Sequence, residues 1–239
     1  QADAELVSAW SRPSAGDLYD ATTLYARVRD EYEGQQSAAR AGSALSNIER
    51  RLRYQAGVEP CSTIPFYEGL GSELRRMVAA GLPVALLGCA GEHLKAKRYV
   101  RARELYKQLV LDYPGSNLEP RARRGLIVAE VGVIRSRRTG DLGDPVTIGS
   151  SGSSDVRVSV QNSSPYPLEL LLSGPDAQRL PVPACDSCPE YSQSSEFTSC
   201  SGPERSVVVR PGRYAAVVRS KSKSSVRSWS DDWTLIGGY

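Results

Sequence analysis

The sequence predicts a multidomain α-plus-β chain. An all-α helical repeat over residues 1–138 is followed by a linker at 139–154 and an all-β sandwich over 155–239, with a possible first strand at 145–149. Three observations carry this. Apolar residues recur at three- and four-residue steps through the first half. Two stretches of that half match at a constant offset. Beyond a Gly/Ser/Asp-rich stretch at 140–154 the apolar period drops to two.

Asp17 is an N-cap candidate, and Leu18, Ala21, Leu24, Tyr25, Val28 and Tyr32 follow on one helical face until Gly34. Ala38, Ala41, Leu45, Ile48 and Leu52 mark a second helix that stops near Gly57 and Pro60. Phe66 to Ala80 reads as a third, ended by Gly81 and Pro83. Val84 to Lys97, Tyr99 to Tyr113 and Glu119 to about Arg137 complete the set. The segment from Ala21 through Leu24, Tyr25, Val28 and Tyr32 to Gly34 matches Ala102, Leu105, Tyr106, Leu109, Tyr113 and Gly115. The offset of 81 residues also pairs Ala41 with Ala122 and Leu45 with Leu126. Small residues let two helices approach closely, and the large ones fill the gap to the next pair, so each hairpin needs a stacked neighbour.

On these residues the first half resembles the tetratricopeptide-repeat family, with the best match over residues 86–119. Ala90 and Ala102 stand at its small positions, Tyr106 at its second-helix aromatic position and Pro114 at its closing proline. The chain departs from the pattern at His93, Leu109 and Glu33, and the offset exceeds two ordinary units of about 34 residues. The resemblance covers about half the chain. It implies a protein-binding scaffold and names no ligand.

In the second half, Asp155 to Val160 alternates with Val156, Val158 and Val160 inward. Pro167 to Leu172, Arg179 to Pro183, Ser206 to Arg210, Tyr214 to Ser220, Val226 to Trp229 and Trp233 to Ile236 read as further short strands, with Val146 to Ile148 an added first one. Pro211-Gly212-Arg213 is a tight-turn signal. Such a succession of short strands is the mark of a β-sandwich.

The net charge of +3 is too small to imply a nucleic-acid partner, and no apolar run reaches the roughly 18–20 residues of a membrane span. The charge is uneven: residues 1–94 sum to −3, 95–138 to +8 and 139–239 to −2. Arg98, Arg101, Arg103, Arg121, Arg123 and Arg124 lie in the basic middle. They read either as a solvated helix face or as a docking surface for an acidic partner or a second copy. The chain begins at Gln1, which fits a removed leader or a fragment.

Five cysteines favour an oxidising, extracellular compartment. A Cys61–Cys89 bridge is expected in the helical half. Cys185, Cys188 and Cys200 then leave one cysteine over, with Cys200 expected to pair with either of the other two. The spacing of Cys185 and Cys188 also fits a zinc half-site or a redox pair, but the flanking Pro183 and Pro189 suit a structural loop better. Asn162-Ser-Ser164 is a formal glycosylation acceptor. The single histidine, His93, occupies a packing position. No nucleophile elbow and no phosphate loop appears, so no catalytic, metal or cofactor-binding set is expected. Asp231-Asp232 reads as exposed turn acids. The sequence thus points to a secreted, non-enzymatic interaction or assembly subunit, able to self-associate as a surface or fibre protomer. The alternative is an extracellular ligand- or glycan-binding module using Trp229, Trp233 and Tyr239 as a stacking platform.

Overall fold

A computed structural model of the chain describes residues 15–70, 81–137, 139–147, 154–189, 200–220 and 228–237. Among these the N-terminal half is helical and the C-terminal half sheet-rich, as the change of periodicity predicts. The helices are α1 (Ala15–Glu31), α2 (Gln36–Val58), α3 (Pro60–Gly69), α4 (Gly81–Lys95), α5 (Tyr99–Asp112) and α6 (Glu119–Arg135). The strands are β1 (Gly140–Asp141), β2 (Val156–Gln161), β3 (Leu168–Ser173), β4 (Gln178–Val182), β5 (Glu204–Val209), β6 (Gly212–Ser220) and β7 (Trp229–Leu235). Two compact units divide the chain. One runs to Ala96 and takes in Glu104–Ala122; the other takes Lys97–Arg103 and everything from Arg123 onward.

In the first unit, α2 packs against α1, α3 and α4. Its buried residues Ala41, Leu45, Ile48, Leu52 and Ala56 follow the three- and four-residue steps of one helical face. The prolines behave differently from the sequence reading. Pro60 does not merely end α2; it opens α3 at once, with Glu59 closing one helix and capping the next. Proline suits a first helical turn, where its missing N–H has no helical partner to lose. Gly81 and Pro83, expected to terminate a helix, lie for the same reason in the first turn of α4. Residues 71–80 of the expected third helix lie outside the described residues.

Tyr67 of α3 is among the largest fully buried side chains. Its hydroxyl has no hydrogen-bond partner among the described residues. Burial, then the charge of Glu49, pushes its pKa up from 10.0 to about 12. The folded value lies above the unfolded one, so the folded unit holds the proton longer. The stability linked to this proton is complete below pH 10 and is lost as pH rises toward 12. We expect Tyr67→Phe to remove that part of the alkaline destabilisation while leaving neutral-pH stability within about 1 kcal/mol. Thermal unfolding of both proteins between pH 8 and 11 checks this; parallel curves would contradict it.

In the second unit β1, β7, β6, β3 and β4 form one sheet, in that order, with β1 parallel to β7 and the other pairs antiparallel. β2 and β5 form a separate antiparallel pair. Val158 and Val209 from that pair share a core with Leu170, Leu172, Tyr214, Ala216, Val218, Trp233 and Leu235 from the larger sheet. Val156 and Val160, expected inward, pack against it. The other face of the larger sheet is also covered: Leu171 and Val217 pack against Ile127 and Val131 of α6. β3 is therefore apolar at successive positions rather than alternate ones, because both of its faces are buried.

Two strand expectations need correction. Residues 145–147 form no strand and Val146 is exposed; the edge strand lies earlier, at Gly140–Asp141. Trp229 and Trp233, expected on separate strands, lie on one, so Asp231 and Asp232 sit within β7 rather than in a turn; residues 226 and 227 of the expected Val226 to Trp229 strand lie outside the described residues. Asp232 pairs with Arg135 of α6 through both carboxylate oxygens, at 2.6 and 2.8 Å, and Asp231 accepts the Gly143 N–H. The Arg135 guanidinium holds the Asp232 carboxyl below its ordinary pKa. At Gly132 of α6 an added Cβ would fall 2.3 Å from the Tyr99 ring, so the helix needs a glycine there to accept that ring.

Candidate functional site

The segments that carry Cys185, Cys188 and Cys200 meet around Asn162, which follows β2 and is fully buried. Its side-chain amide donates to the carbonyls of Tyr166 and Pro183, at 2.8 and 2.7 Å. Its side-chain oxygen accepts from the backbone N–H and the hydroxyl of Ser164. Both amide hydrogens are thus taken up inside the unit. In the folded unit the nitrogen that would carry a sugar is enclosed and already bonded, which weighs against the glycan-acceptor reading of Asn162. The Asn-Ser-Ser triplet serves as a hub for the loop instead.

That hub brings the cysteines together. The Cys185 N–H donates to the Ser164 carbonyl, the Ser163 hydroxyl donates to the Cys200 carbonyl, and the Cys188 N–H donates to the Cys185 carbonyl. An added Cβ on Gly202 would lie 1.7 Å from the Asn162 carbonyl oxygen, so only glycine permits the close backbone approach beside Cys200. All three sulfurs lie within 4.8 Å of one another. Cys188 stands at disulfide distance from both of its neighbours, with Cα separations of 5.2 Å to Cys185 and 6.0 Å to Cys200. Both separations fall inside the range a disulfide accepts, roughly 4.4–6.8 Å. Cys185 and Cys188 are buried and Cys200 is half-buried. The expected pairing of Cys200 with Cys185 or Cys188 stays open, because Cys188 lies within disulfide reach of both neighbours and can bond only one of them.

In the helical unit Cys61 of α3 and Cys89 of α4 are at disulfide distance with a Cα separation of 4.7 Å. The His93 imidazole lies against this pair, and the Glu92 carboxylate is 3.2 Å from the Cys61 sulfur.

A second polar cluster had no place in the sequence reading. Glu169 of β3 is 0% exposed. It accepts from Arg179 of β4 at 3.0 Å and from Arg219 of β6 at 2.9 and 2.6 Å. Both arginines also reach Glu130 of α6, at 2.7 and 2.9 Å. Two cations and two anions balance, which is the condition for holding charge away from water. Burial works against the charge on Arg179, but Glu130 and Glu169 outweigh it and raise its pKa. A local signal for the cluster existed: a lone carboxylate inside the run Leu168 to Leu172 must find partners if the strand is buried on both faces.

The six arginines of the basic middle segment are spread over different helical faces. Arg98, Arg101, Arg121, Arg123 and Arg124 are exposed and Arg103 half-buried. On α6, Arg121 and Arg124 are three residues apart and share a face, while Arg123 points away from it. Arg98 and Arg101 are likewise neighbours and Arg103 is not. Of the expected aromatic platform, Trp233 is buried with its indole N–H on the Gly143 carbonyl, and Trp229 is half-buried against the core. Tyr239 lies outside the described residues.

No protein-family model matches the chain, and neither a curated protein nor a solved structure matches it. No helix among the described residues is long and apolar enough to cross a membrane.

Proposed function

We propose that the chain is a secreted, non-enzymatic interaction or assembly subunit, a self-associating surface or fibre protomer. Its helical half is read as a tetratricopeptide-like scaffold and its sheet half as a β-sandwich. The carrying observation is matched burial across the 81-residue offset. Ala21 and Ala102, Tyr25 and Tyr106, and Ala41 and Ala122 are buried in both copies; Leu24, Val28 and Leu126 are half-buried opposite the buried Leu105, Leu109 and Leu45, and Tyr32 is exposed where Tyr113 is half-buried. Small and aromatic residues buried at corresponding positions are what stacked hairpins require, and stacked hairpins are protein-binding surfaces. Tyr214 supports the sandwich reading. Its hydroxyl donates to the Arg210 carbonyl four residues upstream at 2.8 Å, a tyrosine corner of the kind such modules use. The Cys61–Cys89 pair supports an oxidising compartment.

Light scattering across protein and salt concentration tests the assembly. We expect particle mass to rise with protein concentration at low salt. Reversal of Arg121, Arg123 and Arg124 to Glu should weaken that rise strongly, because exposed charges act within a Debye length of about 10 Å at 0.1 M salt. A constant monomer mass at high protein and low salt would refute self-association.

A further inference from the structure

We propose that Cys185, Cys188 and Cys200 form a disulfide-exchange site, in which one bond moves between two positions on Cys188 and a resident thiol moves with it. A sulfur holds one disulfide, so three cysteines converging on one another carry at most one bond among themselves, and in this proposal the third is the resident thiol. Either neighbour meets the Cα requirement for bonding Cys188. Both are tied to the same short backbone segment, Cys185 through the Ser164 carbonyl and Cys200 through the Ser163 hydroxyl, so both are held beside Cys188.

The step is internally balanced. Starting from the Cys185–Cys188 bond, the Cys200 thiol loses its proton and the thiolate attacks the Cys188 sulfur. The Cys188–Cys200 bond forms as the Cys185–Cys188 bond breaks. Cys185 leaves as a thiolate and takes up a proton, so nothing is oxidised or reduced overall. The two states differ in access: the thiol sits on half-buried Cys200 in one and on buried Cys185 in the other. The chemical class recognised is accordingly a small external disulfide such as glutathione disulfide. The Cys200 thiolate attacks it, acquires one glutathionyl group and releases one glutathione thiolate, which takes up a proton.

The test uses the full chain, quenched in acid to freeze exchange and mapped without reduction. We expect two disulfide-linked peptide species, Cys185–Cys188 and Cys188–Cys200. Prolonged N-ethylmaleimide at pH 8 should drain both into one product, alkylated at Cys200 and bonded at Cys185–Cys188. Glutathione disulfide should add one glutathionyl group to the wild type and none to Cys200→Ser. Several results overturn the proposal: a single pairing in the quenched map, two pairings whose ratio maleimide leaves unchanged, or a disulfide to a second chain. One equivalent of zinc that protects all three thiols from alkylation would overturn it as well. Cys185→Ser guards against a folding artefact. It should show the Cys188–Cys200 bond and no maleimide-reactive thiol in the loop, and a reactive thiol there would count against the shared role of Cys188.

Discussion

Glu169→Gln should lower the stability of the sheet-bearing unit by about 3 kcal/mol, one of the two largest effects expected of a small change in this chain. The substitution keeps the side-chain shape and removes one of the two negative charges that face Arg179 and Arg219. Breaking a buried ion pair from one side leaves charge without its counterion, a loss of about 3–5 kcal/mol. The low end applies because the arginine side chains remain 32% and 28% exposed and keep part of their hydration. Urea unfolding gives the value directly. A second arm separates charge from packing: in the Glu169→Gln background, Arg219→Gln should do less harm than in the wild type, since its main counterion is already gone. Additive losses would show that the four residues do not act as a network.

Replacing Cys61 and Cys89 together by serine should destabilise the helical unit by a similar amount, about 3–4 kcal/mol, on the loop-closure argument. The bridge closes a loop across a sequence separation of 28 and joins α3 to α4. Its absence frees the unfolded chain more than it disturbs the folded one. The urea midpoint of the helical transition should fall accordingly, and reduction of the wild type should reproduce the shift. A variant that unfolds at the wild-type midpoint would mean that the bridge adds nothing to stability.

Much of this architecture was legible because it rests on local spacing. The valines at 156, 158 and 160 alternate, and the apolar steps through α2 repeat at helical spacing. The Cys61–Cys89 pairing was legible as well. Proline and glycine misled where the same residue serves two positions: Pro60 and Pro83 were read as stops and lie in first turns. The two-residue strand β1 is too short for any periodicity. The Glu130, Glu169, Arg179 and Arg219 cluster was missed because its members come from one helix and three strands that only the sheet order brings together. The convergence of three sulfurs was half legible. Spacing left the choice of partners open, and the buried Asn162 hub that gathers them looked like a surface glycan acceptor.

The sheet order also has a consequence during synthesis. α6 leaves the ribosome before any strand it packs against, carrying Ile127, Val131 and Glu130. β3 follows, but its partner on one side, β6, lies beyond β4 and β5 in the chain. At roughly 5–20 residues per second, the interval from α6 to the end of β6 is on the order of ten seconds. For that time the nascent chain displays an apolar helix face, a buried-type carboxylate without Arg219, and an open edge on β3.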